Sequence, residues 1–421
     1  MRKEILIASF IIVLIIGAAL GYAVTMLTVP PAVTGPTGLK GEILIGAPLA
    51  LTGAFGSFGT REKYAIEIAQ SDINDFVTKA GIPVKFTFLI EDTETKPDVA
   101  LSKVQALAAK GVKVLVGGLT SGELRGISAY VDANKIVTLS SASTADRGSI
   151  GKGFDEGSYI IRTLPSCEAE GVAMTKAILS MGYKKIAIIT AKVTYSEAIE
   201  RAFISEFEKA GGKVVYKISY EEGTKTFTTE LSLLEAEMTK YSKDEIALFA
   251  NMWEDVALFL QQAEGRKSPL LEYTWFGPDT YAYSTVVLNE AGTIASKVKL
   301  ISVNFEAPVT EQYLKFVEVY KNKVGETPDI YAVGAYDNAW IAALSILAAG
   351  KYDGEAIRSV VPYVANHFYG ALGNPALLPN GDREIMDQAF YAIKIVAGKP
   401  EWVRVALYES ATGKLTWLEQ I

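Results

Sequence analysis

Short apolar runs alternate with amphipathic stretches along most of this chain, and this alternation limits its fold more than any other feature. Residues 42–49, 84–90, 112–117 and 136–140 are short apolar runs, and segments with apolar residues at helical spacing separate them. Strands of this kind, connected by helices, are typical of parallel sheets covered on both faces. The pattern therefore predicts an α/β fold with right-handed crossovers.

The alternation occurs twice, which predicts two doubly wound parallel-sheet lobes joined by a hinge. A second set of strands is expected at residues 184–190, 213–219, 245–251 and 273–277, after a glycine-rich connection at 148–158. Three helices and then a strand hairpin with a Gly-Lys-Pro turn are expected towards the C-terminus. The expected organisation is 1–40 as anchor and linker, 41–161 plus 306–368 as lobe 1, and 162–305 plus 369–421 as lobe 2.

The N-terminus carries a long apolar run. Arg2 and Lys3 precede uncharged residues 5–29, and the next charge is Lys40. A run of this length can cross the hydrocarbon core of a membrane, and basic residues ahead of it place the rest of the chain outside the cytoplasm. A cleaved signal peptide and an uncleaved transmembrane anchor both fit. The run is long and no cysteine follows it to accept a lipid, which favours the anchor. The Pro- and Gly-rich residues 30–38 are expected to form a linker.

Composition argues against several classes of function. The net charge of −7 and the absence of a basic stripe argue against a nucleic-acid partner. The single cysteine, Cys167, and the single histidine, His367, leave no ligand set for a zinc or His-based metal site. A Ser-His-Asp hydrolase would depend wholly on His367. The glycine cluster at 151–157 has the wrong spacing for a dinucleotide site and no strand before it. No enzyme activity and no cofactor are therefore predicted.

Six segments resemble, in the same order, the branched-chain amino-acid-binding (Leu/Ile/Val-binding-like) family of ABC-transporter solute receptors, which have the type I periplasmic-binding fold. The segments are 45–74, 114–144, 159–171, 188–215, 275–280 and 331–350. Gly118, Ser141 and Cys167 depart from the family pattern. The resemblance implies an extracytoplasmic receptor that binds an amino acid or a similar small molecule between its lobes. It also implies delivery to an ABC permease in the membrane, and a monomer is expected.

Candidate ligand contacts of the first lobe follow two predicted strands. Thr120, Ser121 and Gly122 lie between a strand and a helix start, where hydroxyl and backbone N–H groups converge on an anion. Without the resemblance, Ser121 is predicted to be the N-cap residue of this helix. The resemblance implies that Thr120 and Ser121 bind the ligand carboxylate. It also implies that Ala142, Ser143 and Thr144, after the next strand, contact both ends of the ligand backbone; by sequence alone they are a Ser/Thr-rich loop.

The other candidates come from both lobes. Asp279 follows Gly277-Pro278 and is by itself a turn residue, whereas the resemblance implies that it pairs with the ligand ammonium. Phe58 and Tyr195 match positions where the family has aromatic side chains over the ligand. Trp253 lies near another such position, and Tyr281 is included because it is close to Asp279. Aromatic residues are more often part of the core than of a site.

Three alternatives remain open at this level. The same two-lobed fold could serve as a membrane-anchored sensing domain with a separate signalling partner. The ligand could be an amide or urea-type molecule, or an aromatic acid, rather than an amino acid. An amidase or hydrolase using the cleft is the least favoured, since the chain has one histidine and no nucleophile motif.

Overall fold

The computed structural model describes residues 38–419, which form two sheets covered by helices. The first sheet is parallel throughout, with strand order β2-β1-β3-β4-β5. Its strands are β1 Gly41–Leu49, β2 Val84–Asp92, β3 Val114–Gly117, β4 Val137–Ser140 and β5 Ile160–Arg162. The helices between them are α1 Gly56–Lys79, α2 Pro97–Ala109, α3 Ser121–Ala133 and the short α4 Arg147–Ile150.

The second sheet has eight strands in the order β13-β12-β11-β10-β9-β8-β6-β7. It is parallel from β7 to β10 and antiparallel from β10 to β13. Its strands are β6 Lys185–Ala191, β7 Lys213–Tyr220, β8 Ile246–Asn251, β9 Trp275–Gly277, β10 Ile301–Phe305, β11 Gln388–Val396, β12 Lys399–Glu409 and β13 Lys414–Trp417. Its helices are α5 Cys167–Ser180, α6 Thr194–Lys209, α7 Thr228–Met238, α8 Val256–Gly265 and α9 Thr285–Lys297.

The predicted α/β architecture is confirmed, with a parallel first sheet and a second sheet that is parallel from β7 to β10 and carries an antiparallel edge from β10 to β13. Every residue of the central strand β8 is buried, as expected for a strand with helices on both faces. The predicted C-terminal hairpin is also present, since Val396 at the end of β11 pairs with Lys399 at the start of β12. Three helices return to the first lobe after β10: α10 Glu311–Val324, α11 Ile330–Ala349 and α12 Gly354–Asn366.

The chain passes between the lobes three times, after β5, after β10 and before β11. These connections lie side by side: the Arg383 N–H donates to the Arg162 carbonyl at 3.0 Å, and the Glu306 N–H donates to the Asp387 carbonyl at 2.8 Å. Three adjacent connections therefore join the two lobes.

The last of these connections lies later in the chain than the expected division at residue 369. Residues 370–386 stay with the first lobe because the Ala371 and Leu372 N–H groups donate to the buried carboxylate of Asp337 in α11, at 2.9 and 2.6 Å. Asp382 is also fixed there, by an ion pair with Arg162 of β5. The chain enters the second sheet only at Gln388.

The predicted N-terminal membrane segment, residues 5–29, lies outside the described residues. Within residues 38–419, α11 is the one helix long and apolar enough to cross a membrane by length and composition. This helix packs against α1, β3 and β4, and 67% of its apolar window is buried. Its apolar character is explained by its place in the core of the first lobe.

Candidate ligand-binding cleft between the lobes

The start of α3 is fixed by a capping box. The Glu123 N–H donates to Thr120 Oγ1 at 3.4 Å, and the Thr120 N–H donates to Glu123 Oε2 at 2.8 Å. Thr120 is therefore the N-cap residue, and the prediction that Ser121 is the N-cap is wrong by one residue. The cap needs an oxygen that reaches the N–H three residues later, and Thr120 meets that condition because Glu123 is there to return the contact.

Ser121, the first residue of α3, has a hydroxyl held from two sides. Ser121 Oγ accepts from Ser143 Oγ at 3.1 Å and from the Ala145 N–H at 3.2 Å. A hydroxyl has one donor and two acceptor lone pairs, so the remaining function of Ser121 Oγ is donation. The loop after β4 thus orients Ser121 as a hydrogen-bond donor at a helix N-terminus.

The start of α3 and the loop after β4 face the second lobe across a small cavity. The cavity has a volume of about 20 Å³, which is enough for one water molecule, since one water needs about 10–15 Å³. Seven of the ten predicted site residues line it: Thr120, Ser121, Ala142, Thr144, Tyr195, Trp253 and Asp279.

The other three predicted residues lie behind the cavity wall. Ser143 is buried and positions Ser121. Phe58 is fully buried in α1, where its ring stacks on Phe55 with 4.8 Å between centroids. Tyr281 is also fully buried, and its hydroxyl donates to the Ala250 carbonyl at the end of β8.

Three cavity residues were not predicted from the sequence: Phe55, Thr280 and Tyr331. Phe55 lies at the N-terminus of α1 and makes an edge contact with Trp253 of the other lobe, with centroids 6.0 Å apart. Tyr331 is at the start of α11. Both rings belong to the first lobe, so this lobe supplies aromatic surface as well as hydrogen-bond donors.

Asp279 is the acidic residue of the cavity, and its carboxylate lacks a neutralising partner. It is 2% exposed, and its Oδ2 accepts no hydrogen bond from the described residues. Burial raises the pKa of Asp279 to about 6, although the hydroxyls of Tyr195 and Tyr331 favour its charged form. An unpartnered buried carboxylate oxygen is costly, so this atom is suited to a cationic donor from a ligand.

A larger cavity of about 610 Å³ lies at the mouth of the cleft and is lined by both lobes. Trp253 borders both the mouth and the inner cavity, and its Nε1 has no partner among the described residues. The lobes touch beside it, where Ser57 Oγ donates to Glu254 Oε1 at 2.9 Å and Arg61 Nη1 donates to the Tyr283 carbonyl at 3.0 Å.

The described residues contain no group of three or more His, Cys, Asp or Glu side chains that could hold a metal ion. His367 lies at the end of α12, where its Nδ1 is 2.8 Å from the Tyr363 carbonyl. It does not line the inner cavity. The groups that line the inner cavity are hydrogen-bond donors, aromatic rings and the Asp279 carboxylate, which can bind a small molecule.

Comparisons with known proteins agree with this geometry. The model of the periplasmic binding protein family matches residues 42–400. An uncharacterized protein of Methanocaldococcus jannaschii is 30% identical over 398 residues, which is 91% of this chain and 94% of that protein.

Two crystal structures share the fold. A leucine binding protein from Thermotoga maritima has a TM-score of 0.72 at 21% identity, over 87% of this chain and 98% of that one. A solute binding protein of an ABC transporter from Rhodopseudomonas palustris, in complex with 3,4-dihydroxybenzoic acid, has a TM-score of 0.70 at 19% identity, over 88% and 98% of the chains. With the matches of fold and sequence over nearly all of the described residues, the chain belongs to the periplasmic binding protein family.

Proposed function

We propose that this protein is the extracytoplasmic solute receptor of an ABC importer, and that it binds an amino acid or an amino-acid-like molecule between its lobes without altering it. One observation carries this proposal: a hydroxyl donor at a helix N-terminus, Ser121, and a buried carboxylate whose Oδ2 has no hydrogen-bond partner among the described residues, Asp279, line the same cavity from opposite lobes. A zwitterion with a carboxylate at one end and an ammonium at the other matches both groups.

In this proposal the first lobe binds the ligand carboxylate. Ser121 Oγ donates to it, because the acceptor positions of this hydroxyl are taken by Ser143 and Ala145. The first turn of α3 adds backbone N–H groups and the positive end of the helix dipole. Thr144 and the backbone at Ala142 lie on the same wall of the cavity. Each hydrogen bond to a charged group is worth about 1.5–3 kcal/mol.

The second lobe binds the ligand ammonium through Asp279, and aromatic rings enclose the side chain. Phe55 and Tyr331 of the first lobe and Tyr195 and Trp253 of the second surround the cavity. Since the cavity is about 20 Å³, a bound amino acid requires the lobes to separate further than they do here. A hinge at the three connections permits this motion.

Ser121→Ala is expected to weaken amino-acid binding by about 1.5–3 kcal/mol, or roughly 10- to 150-fold in Kd, because the ligand carboxylate loses a charge-assisted donor. Isothermal titration calorimetry measures this loss. Ser128→Ala is the matched control, since Ser128 is in the same helix and its hydroxyl donates to the Arg125 carbonyl outside the cleft. An equal Kd for the parent and Ser121→Ala would contradict the assignment.

An aromatic acid is a second candidate ligand, because four aromatic side chains line the cavity and the Rhodopseudomonas palustris structure holds 3,4-dihydroxybenzoic acid. Such a ligand would satisfy Ser121 and leave Asp279 Oδ2 without a cation. An amine-bearing acid is therefore the better match.

The test is calorimetry on residues 41–421 against amino acids, short amides and aromatic acids. Tight 1:1 binding of an amino acid supports the proposal. Binding of only aromatic acids, or of no member of the panel, would contradict it. Copurification with an ABC permease would support import, whereas a signalling partner would favour the alternative of a membrane-anchored sensing domain.

The location outside the cytoplasm and the attachment to a membrane through residues 5–29 belong to the same proposal. Detection of the full-length chain in the membrane fraction, with residue 1 retained, tests the anchor against a cleaved signal peptide.

A further inference from the structure

A second fully buried carboxyl group stands directly behind Asp279. Glu170, in α5, is 1% exposed, and its Oε1 accepts from the Asp279 N–H at 3.1 Å. The Tyr195 hydroxyl lies 3.1 and 3.0 Å from the two Glu170 oxygens. Glu170 does not line the cavity, so it acts on a ligand only through Asp279 and Tyr195.

Few hydrogen-bond donors are available to the carboxyl groups of Glu170 and Asp279. Tyr195 carries one hydroxyl proton and cannot donate to both Glu170 and Asp279 at once. If Glu170 holds a proton, it donates to the Tyr195 oxygen, and the Tyr195 proton then turns to Asp279. One added proton therefore satisfies the hydrogen bonds of the group without two adjacent negative charges.

The surroundings do not supply a positive charge. The titratable groups that face the two carboxyls are Tyr195 from α6 and Tyr331 from α11, and Cys167 lies in α5 beside Glu170. From β10, Asn304 donates to the Asp279 carbonyl at 3.3 Å. Within residues 38–419, no lysine or arginine acts on the pKa of either carboxyl.

From this geometry we infer that Glu170 and Asp279 share one proton when no cation is bound, and that a ligand ammonium docking on Asp279 expels this proton to the solvent. The inference rests on the proposed function and extends it, because it makes amino-acid capture dependent on pH. Glu170 is a positioning residue that sets the charge of the Asp279 site.

The pKa directions agree with this. Burial, and then the negative charge of Asp279, raise the pKa of Glu170 well above its usual value. Burial raises the pKa of Asp279 to about 6. The shared proton is therefore expected to reside on Glu170 rather than on Asp279. A cation beside them favours the ionised forms and lowers both pKa values, so protons leave on binding. Because binding releases a proton, a lower pH opposes binding, and the affinity falls as the pH falls.

The experiment is calorimetry at pH 7.5 in two buffers that differ in ionisation enthalpy, with the amino acid that the panel identifies. We expect release of up to about one proton per ligand, and a Kd that weakens by up to about tenfold per pH unit as the pH falls from 7.5, in proportion to the protons released. Glu170→Gln keeps the shape and both hydrogen-bond contacts of a protonated glutamate. It is expected to bind at pH 7.5 with proton release close to zero.

Asp337→Asn is the control, since Asp337 is another fully buried carboxyl with its pKa raised to about 7 by burial, and it lies outside the cavity. It should release as many protons as the parent. Proton release in Glu170→Gln equal to that of the parent, or an amino acid that binds the parent with no proton release, would overturn the inference while leaving the proposed function intact. If no amine-bearing ligand binds the parent, both fail.

If Glu170→Gln does not fold, an infrared difference spectrum of the parent protein tests the same inference. Ligand binding to the parent is expected to remove a protonated-carboxyl band at pH 7.5. An unchanged band on saturation with the amino acid would refute the shared proton.

Discussion

Asp279→Asn is expected to weaken amino-acid binding by about 2–5 kcal/mol, which is roughly a 30-fold or greater rise in Kd. The carboxylate is 2% exposed and its Oδ2 has no partner among the described residues, so in the variant the ligand ammonium would be buried beside a neutral amide. Calorimetry on the parent and the variant at pH 7.5 measures the change.

The ligand itself provides the sharper control for Asp279. A des-amino analogue, the same acid without its ammonium, should bind the parent weakly and bind Asp279→Asn about as well as it binds the parent. The two proteins and two ligands form a double-mutant cycle that isolates the pairing energy. If the amino acid binds both proteins equally, the ammonium partner is not Asp279.

Arg162→Met is expected to lower the free energy of unfolding by up to about 3–5 kcal/mol, since it removes both close hydrogen bonds to the buried Asp382 carboxylate and leaves it with the more distant Arg147, at 3.6 Å. Arg162 is fully buried and donates from Nε and Nη2 to both Asp382 oxygens, at 2.7 and 2.6 Å. Its Nη1 also donates to the carbonyls of Ser143 and Ala145 in the loop that orients Ser121. Urea-induced unfolding followed by circular dichroism measures the loss, and weaker ligand binding should accompany it.

Arg201→Met is the matched control for Arg162. Arg201 pairs with Asp146 at 2.8 Å, but its side chain is 58% exposed, and exposed ion pairs contribute about 0–1 kcal/mol. The double variant Arg162→Met, Asp382→Leu should recover part of the loss because the buried Asp382 charge is removed, although Arg147 then loses its contact with Asp382. Equal unfolding midpoints for Arg162→Met and Arg201→Met would refute a special role for the buried pair.

The fold could be predicted from the sequence because its signals are local and repeated. The run at residues 245–251 is apolar throughout, and it is the fully buried strand β8. The crossing at Gln388 could not be predicted. It depends on contacts between residues far apart in the chain, such as Asp337 with Leu372 and Arg162 with Asp382.

The cavity could be predicted in part. Thr120, Ser121 and Asp279 follow strands, and the carboxyl ends of parallel strands mark the cleft. Aromatic residues gave no such guide: Phe55 and Phe58 are three positions apart, and the spacing does not decide which ring reaches the cavity. Glu170 was missed because an acidic residue in a helix usually faces water, whereas here it is 1% exposed.

Because the chain passes between the lobes three times, each lobe contains segments that are far apart in the sequence, and this affects how the protein folds during synthesis. The first lobe buries α1, near its N-terminus, against α11, which the ribosome completes only at residue 349. The second sheet is likewise incomplete until β11 to β13 have been synthesised. Neither lobe can close its core from a contiguous fragment, and contacts between distant parts of a chain slow folding. The nascent protein is therefore expected to remain unfolded until nearly complete, a condition in which it can still be threaded through a translocation channel.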